Sequence, residues 1–141
     1  MKKILFIDDD LIGLEDVFDF FALAGYDVLI AESVATAIDI LKTEGANIQA
    51  VVLDIIMPYG DISGFNSNNT AMGMRTGLAL LDRIRQLYPL VPILVFTNLR
   101  DNEAKEKAIK SGAKIYIEKP ASLSELFNKV EEFIANKEKG E

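Results

Sequence analysis

The sequence predicts an α/β protein whose central sheet is parallel and covered by helices on both faces. Apolar, strand-like runs alternate five times with segments whose apolar residues recur at helical spacing. The strand-like runs are apolar on both sides, which is typical of strands buried on both faces. The 141 residues contain no repeat and no linker, so we expect residues 1–141 to form a single domain.

Each element follows from its local sequence. The predicted strands share a high apolar content and are residues 3–8, 26–31, 48–54, 92–97 and 113–119. The predicted helices share apolar residues at helical spacing and are residues 11–25, 34–45, 76–88, 102–112 and 122–139. Ser33 is a plausible N-cap, and Ser122 with Glu125 forms a capping-box pattern. Gly25 and Gly45 are expected to end the first two helices.

The composition excludes several classes of function. A net charge of −7 argues against nucleic acid as a partner and favours cations or basic protein surfaces. The chain has no cysteine and no histidine, which excludes disulfides, thiolate chemistry, a histidine base and a histidine-ligated zinc site. No apolar run approaches the length of a membrane span, and the N-terminus lacks a signal-peptide layout. We therefore expect a cytoplasmic protein without a membrane partner.

Polar residues end four of the predicted strands. Asp8 and Asp9 end the first strand, Asp54 the third, Thr97 the fourth and Lys119 the fifth. Ligands of open α/β sheets bind beyond the carboxyl ends of the strands, so these side chains are expected to converge. Clustered carboxylates suit a hard cation such as Mg²⁺. A cation, a hydroxyl and an ammonium around a carboxylate suit phosphoryl transfer, because they offset charge on the transferred group.

Four segments carry a resemblance to a known family. "ILFIDDD", "VVLDIIMP", "ILVFTN" and "IYIEKPA" resemble, in order, the signature segments of the response-regulator receiver domain of two-component signalling. The resemblance covers the chain except residues 59–73. It implies a flavodoxin-like, doubly wound, five-stranded parallel sheet in the order 2-1-3-4-5.

The resemblance also implies roles for the residues around the third strand. Asp54 matches the phosphoacceptor of the family. Asp9 matches the direct ligand of magnesium, and Asp8 matches the acid that holds the ion through water. The backbone carbonyl of Ile56 matches a further magnesium ligand.

Three residues of the last two strands match the family's catalytic and switch positions. Thr97 matches the hydroxyl that contacts the phosphoryl group and then moves, and Lys119 matches the lysine paired with the phosphoacceptor. Tyr116 lies where the family places its switch aromatic, although an ordinary core role fits it equally well. Pro120 follows the lysine at a position where the family often has a cis peptide bond.

The function implied by this resemblance is that of a stand-alone receiver. It would accept a phosphoryl group on Asp54 from a histidine kinase or a histidine phosphotransfer protein, with Mg²⁺ as cofactor. It would not be an enzyme toward an external metabolite. Without an output domain it would signal by contact, and the family often binds downstream proteins through its fourth helix, fifth strand and fifth helix.

One segment departs from the family pattern. About fifteen extra residues separate Met57-Pro58 from Thr76-Gly77, the nearest match to the family's Asp-Gly pair. Residues 59–73 are rich in Gly, Asn and Ser, which excludes a long regular element. The insertion could be a surface loop or a cover over the site.

Two other functions fit part of the sequence. A pseudo-receiver would keep the fold as a binding module without phosphorylation, although all the acceptor groups are present. The segment "ILFIDDDLIG" also resembles the first motif of haloacid-dehalogenase-type phosphatases, with Asp8 as nucleophile and Asp10 as acid-base. That alternative lacks the expected Gly-Thr and the later acidic pair, and it leaves Asp54 without a role.

Overall fold

The computed structural model describes residues 2–55, 73–119 and 121–138. Its five strands are β1 (Lys3–Ile7), β2 (Asp27–Ala31), β3 (Ile48–Leu53), β4 (Ile93–Thr97) and β5 (Ile115–Glu118). They form one sheet in the order β2-β1-β3-β4-β5, and every neighbouring pair is parallel. The predicted fold class and strand order are thus confirmed.

Five helices connect and follow the strands. They are α1 (Glu15–Leu23), α2 (Val34–Glu44), α3 (Gly73–Leu87), α4 (Asn102–Lys110) and α5 (Leu123–Glu138). The first helix was predicted from residue 11, but a 3-10 turn over Ile12–Leu14 precedes α1. The third helix begins at Gly73, three residues before the predicted start.

The predicted helix caps are largely present. The Ser33 hydroxyl accepts a hydrogen bond from the Thr36 amide, and the Ser122 hydroxyl accepts one from the Glu125 amide. Gly25 follows α1 with a φ of 101°, a conformation that costs glycine little. Gly45 also ends its helix, but its φ of −48° is right-handed because the chain continues into a second 3-10 turn.

The core consists of two layers, one on each face of the sheet. Helices α2, α3 and α4 pack on one face and α1 and α5 on the other, because successive side chains of a strand point to opposite faces. One layer includes Leu5, Ile7, Val51, Leu53, Ile93, Val95, Leu41, Leu80, Leu81 and Ala108. The other layer includes Ile4, Phe6, Ala50, Val52, Leu94, Phe96, Phe21, Leu126 and Val130.

The strands end one residue earlier than predicted at three places. Asp8, Asp54 and Lys119 follow β1, β3 and β5 instead of belonging to them. Their amides still donate to the neighbouring strand: Asp8 to Ala31 at 3.0 Å, Asp54 to Ile7 at 2.9 Å, and Lys119 to Thr97 at 2.7 Å. The sheet therefore fixes the backbone of each polar residue while its side chain extends beyond the edge.

Some sequence predictions fall outside the residues that the structure describes. They are the backbone carbonyl of Ile56, Pro120 and the insertion up to residue 72. Among the described helices, none combines the length and the apolar character that crossing a membrane requires.

Candidate functional site

Two acids from adjacent strands are buried at the carboxyl edge of the sheet. Asp8 is 3% exposed and Asp54 is 7% exposed. Because β1 and β3 are neighbours in register, the residues that follow them lie side by side. Burying ionised carboxylates is costly unless charges and hydrogen bonds compensate them, so this pair requires partners.

Lys119 supplies the compensating charge. Its ammonium Nζ lies 2.8 Å from Oδ2 of Asp8 and 3.2 Å from Oδ2 of Asp54. One ammonium thus bridges both carboxylates, as a compact charge with three donors can. Lys119 reaches them from β5, which is separated from β3 by β4. The lysine was predicted to pair with Asp54, and the structure places it at hydrogen-bond distance from Asp8 as well.

Thr97 contacts the other oxygen of Asp54. Its hydroxyl donates to Oδ1 of Asp54 at 2.7 Å, and its side chain is fully buried. β4 pairs in parallel with β3, with Val95 opposite Leu53, so Thr97 at the end of β4 lies near the residues that follow β3. The two oxygens of Asp54 therefore face different donors, a neutral hydroxyl and an ammonium.

The electrostatics of Asp8 reflect its burial. Loss of solvent raises the pKa of its carboxyl, although the Lys119 ammonium and the Asp10 amide act in the opposite direction. The Asp10 amide donates to Oδ1 of Asp8 at 2.9 Å. Ionisation of Asp8 therefore costs folding free energy, and a nearby cation would offset that cost.

The pKa of Lys119 is also raised, but here the charged form is the one that is stabilised. Burial lowers the pKa of its ammonium, but the hydrogen bond to Asp8 and the charge of Asp54 outweigh burial, so that the pKa lies above its ordinary value. The ammonium also lies 5.2 Å from the centre of the Phe96 ring, where a cation is attracted by the aromatic face. Lys119 is therefore held in its charged form.

Three carboxylates fit a divalent cation at this edge. Asp8, Asp9 and Asp54 each offer an oxygen, and these oxygens lie within 4.8 Å of one another. Mg²⁺ prefers oxygen ligands at about 2.0–2.1 Å, so opposite ligands of one ion are about 4 Å apart. Asp9 is exposed, which leaves one side of the cluster open to water and to an incoming ion.

Asp10 takes a different role from the two acids before it. Its Oδ1 accepts a hydrogen bond at 3.0 Å from the amide of Gly13, a residue of the 3-10 turn. A side chain at position 13 would collide with this carboxylate, since a Cβ there would lie 2.4 Å from Oδ2 of Asp10. This contact directs the Asp10 carboxylate to the turn and away from the three acids that offer oxygens to a cation.

Tyr116 connects β5 to the loop that follows Thr97. Its hydroxyl donates to the carbonyl of Leu99 at 2.7 Å, and its ring is half-buried against the core layer of α2, α3 and α4. Burial raises the pKa of this phenol to about 12. The structure thus places Tyr116 against the segment that begins with Thr97, a position compatible with either predicted role.

Two contributors to the site were not predicted from the sequence. They are the Phe96 ring beside Lys119 and the Asp10 amide bound to Asp8. In the sequence Phe96 resembles any other apolar strand residue. A hydrogen bond from a backbone amide does not depend on the residue type, so the sequence does not predict it. The predicted residues Asp8, Asp9, Asp54, Thr97 and Lys119 do converge, while Ile56 lies outside the described residues.

Comparison with known proteins supports the same family. The transcriptional regulatory protein CrdR of Helicobacter pylori is 30% identical over 133 residues, which are 94% of this chain and 54% of CrdR. The response regulator MprA of Mycolicibacterium vanbaalenii is 31% identical over 125 residues, which are 88% of this chain and 46% of MprA. The chain thus spans about half the length of these two relatives.

A solved structure and a family match agree with these relatives. The crystal structure of a CheY-like response regulator receiver domain protein from Methanospirillum hungatei JF-1 has a TM-score of 0.82 at 25% identity. The alignment covers 100% of this chain and 99% of that protein. Residues 4–131 match the response regulator receiver domain family. These findings, together with the sheet order and the converging acids, show that the chain belongs to the response regulator receiver domain family.

Proposed function

We propose that Asp54 accepts a phosphoryl group from the phosphohistidine of a histidine kinase or a histidine phosphotransfer protein. The observation that carries this proposal is the double contact of the Asp54 carboxylate. One oxygen receives the Thr97 hydroxyl and the other faces the Lys119 ammonium, with Asp8 beside them. The family to which the chain belongs signals by phosphorylation of an aspartate.

The chemistry assigned to Asp54 is a phosphoryl transfer. A carboxylate oxygen attacks phosphorus, an O–P bond forms, and the N–P bond to the donor imidazole breaks with its electron pair leaving on nitrogen. The imidazole then takes a proton from solvent. Lys119 and Thr97 are placed to offset charge on the transferred oxygens, which is the main contribution a protein makes to this reaction. Later hydrolysis by an in-line water would return Asp54 to its free carboxylate.

Magnesium fits the acids of this site. Asp8, Asp9 and Asp54 would hold it, with the Ile56 carbonyl as a further ligand that the family resemblance implies. Bound there, the ion would supply positive charge beside the transferred phosphoryl group. The three carboxylates face one ammonium, so the cluster carries excess negative charge that a divalent cation would offset.

The α4 surface is a candidate for contact with a downstream protein. An open groove of about 470 Å³ runs along one face of this helix, and Ile109 is 44% exposed there. Its lining includes Asn102, Lys105, Glu106, Ile109 and Lys110. A groove with an apolar residue between charged side chains suits a protein partner. This supports the fourth helix as part of the predicted surface, while contact through the fifth strand and the fifth helix stays a prediction.

Other parts of the proposal rest on the sequence. The absence of activity on an external metabolite and a cytoplasmic location stay predictions. The phosphatase alternative is disfavoured, because the Asp10 carboxylate that it would use as acid-base binds the Gly13 amide. The pseudo-receiver alternative is best separated by experiment.

Treatment with acetyl phosphate and Mg²⁺, followed by intact-mass and peptide mass spectrometry, tests the proposal. We expect one phosphoryl group on the peptide that contains Asp54, and none on Asp54→Asn, which keeps the size but lacks the anionic nucleophile. Asp10→Asn is the matched control and should be labelled like the parent protein. Undiminished labelling of Asp54→Asn would refute the assignment, and a parent protein that is never labelled would favour the pseudo-receiver.

A further inference from the structure

Lys119 is bonded through its backbone on both sides to the segment that begins with Thr97. Its amide donates to the carbonyl of Thr97 at 2.7 Å, which extends the pairing of β4 and β5 past the end of β5. Its carbonyl accepts a hydrogen bond from a terminal nitrogen of the Arg100 guanidinium at 3.1 Å. Because β5 ends at Glu118, the second bond comes from a side chain instead of a sheet partner.

Arg100 contributes little to stability through its charge. Its Nε lies 3.9 Å from a carboxylate oxygen of Glu118, and the two side chains are 63% and 44% exposed. An exposed pair of this kind is weak, because water screens it and two long side chains lose conformational freedom. The contact with the Lys119 carbonyl is therefore the feature of Arg100 that needs an explanation.

The position of that carbonyl affects where the ammonium of Lys119 can reach. The carbonyl carbon is bonded to Cα of Lys119, so a hydrogen bond that holds the carbonyl also restrains Cα, from which four methylenes lead to Nζ. That nitrogen must lie within about 3 Å of both Asp8 and Asp54, and it does so at 2.8 and 3.2 Å. A flexible lysine side chain meets both distances more often when its backbone is held in one position.

Arg100 also belongs to the loop that is held at two other points. Thr97 starts this loop and donates to Asp54, and the Leu99 carbonyl accepts the Tyr116 hydroxyl. Arg100 follows Leu99 directly and extends the contact to Lys119. The hydroxyl and the ammonium that face Asp54 are thus joined through a short stretch of backbone and one guanidinium.

We propose that Arg100 is a positioning residue for Lys119: its guanidinium holds the Lys119 carbonyl so that the ammonium reaches Asp8 and Asp54 together. This inference rests on the function proposed above, in which Lys119 assists phosphorylation of Asp54. Within the part of the chain that the structure describes, Arg100 contacts Lys119 and Glu118 and neither the predicted phosphoacceptor nor the acids of the metal site.

Phosphorylation rates of matched variants test the inference. Arg100→Ala removes the donor and should lower the rate with acetyl phosphate by about tenfold, as a small misplacement of a catalytic group can. Arg100→Lys keeps a charge and a donor and should recover most of the rate. Lys114→Ala is the control, because it removes one exposed positive charge at the other end of β5 and should react like the parent.

Arg100 could also affect the rate by attracting the anionic phosphodonor. Measurements at high salt and in a double variant separate this effect from positioning of Lys119. Screening weakens a long-range charge effect, so a deficit of Arg100→Ala that disappears at 1 M salt would overturn the inference. A deficit that persists supports it. In a Lys119→Ala background, Arg100→Ala should change the residual rate little, because the residue through which Arg100 acts is gone. Equal losses in both backgrounds would overturn the inference.

A readout without phosphorylation distinguishes failure of this inference from failure of the proposed function. The NMR signals of the Lys119 side chain, recorded at one fixed pH without phosphodonor, should move in Arg100→Ala and stay in Lys114→Ala. If they move although the parent protein is never phosphorylated, Arg100 still positions the lysine and only the proposed function has failed. If they stay and the rate is also unchanged, Arg100 has no positioning role.

Discussion

The ammonium of Lys119 lies closer to Asp8 than to Asp54, at 2.8 Å against 3.2 Å. The lysine therefore neutralises an acid of the metal site as well as the predicted phosphoacceptor. A divalent cation bound by Asp8 would compete for that carboxylate and leave the ammonium free to turn toward Asp54. Occupancy of the metal site and the placement of the lysine are thus linked through Asp8.

Magnesium should raise the thermal stability of the protein. The three carboxylates repel one another, and a cation that binds only the folded chain stabilises it by mass action. At ten times the dissociation constant the gain is about 1.4 kcal/mol. Asp9→Ala should weaken the effect far more than Asp10→Ala, measured as melting temperature against Mg²⁺ concentration. Equal losses from both variants would contradict the assignment of Asp9 as a ligand.

Asp8→Asn should stabilise the protein at neutral pH when magnesium is absent. Because the pKa of Asp8 is raised in the folded state, the unfolded chain ionises this group first as pH rises, and ionisation then costs folding free energy. The advantage of Asp8→Asn should be absent below the ordinary pKa of 3.8 and grow as pH rises through the raised value. Melting temperatures of both proteins between pH 3 and 7 measure it. A constant difference across that range would contradict the predicted linkage.

Tyr116 should report on the state of the site. Beryllofluoride (a mimic of the phosphoryl group) with Mg²⁺ should draw the Thr97 hydroxyl from the Asp54 carboxylate to the bound mimic and alter the loop that holds the phenol at Leu99. We expect the NMR signals of the Tyr116 ring to shift. Those of Tyr26, which packs in the opposite core layer, should stay. An unchanged Tyr116 ring would favour the plain core role.

Gly77→Ala should damage the fold beside the site. A Cβ at position 77 would lie 1.9 Å from the carbonyl oxygen of Ile55, the residue that follows Asp54. Overpacking typically costs about 1–3 kcal/mol, which exceeds the gain of about 1 kcal/mol from alanine in a helix. We expect a lower melting temperature and slower phosphorylation with acetyl phosphate.

Gln86→Ala is the matched control for Gly77→Ala, because Gln86 is exposed on the same helix and should tolerate the change. If Gly77→Ala has the same melting temperature and phosphorylation rate as this control, the close approach of α3 to the backbone after Asp54 matters neither for stability nor for phosphorylation.

The sequence by itself determined the fold class and indicated which polar residues meet at the carboxyl edge of the sheet. Five apolar runs separated by helical segments allow a parallel sheet, and parallel strands bring their carboxyl ends to one edge. This is why Asp8, Asp54 and Thr97 could be placed together before their contacts were known. The helix caps at Ser33 and Ser122 were equally predictable, because capping depends on residues three positions apart.

Only the tertiary structure decided which partner each polar side chain of the site binds. Lys119 and Asp8 are 111 positions apart, and no local pattern shows that one ammonium bridges two acids. The Asp10 carboxylate turns to the Gly13 amide, and the Arg100 guanidinium reaches the Lys119 carbonyl across two loops. The direction of a side chain depends on the burial and charge of groups that come together only when the chain has folded.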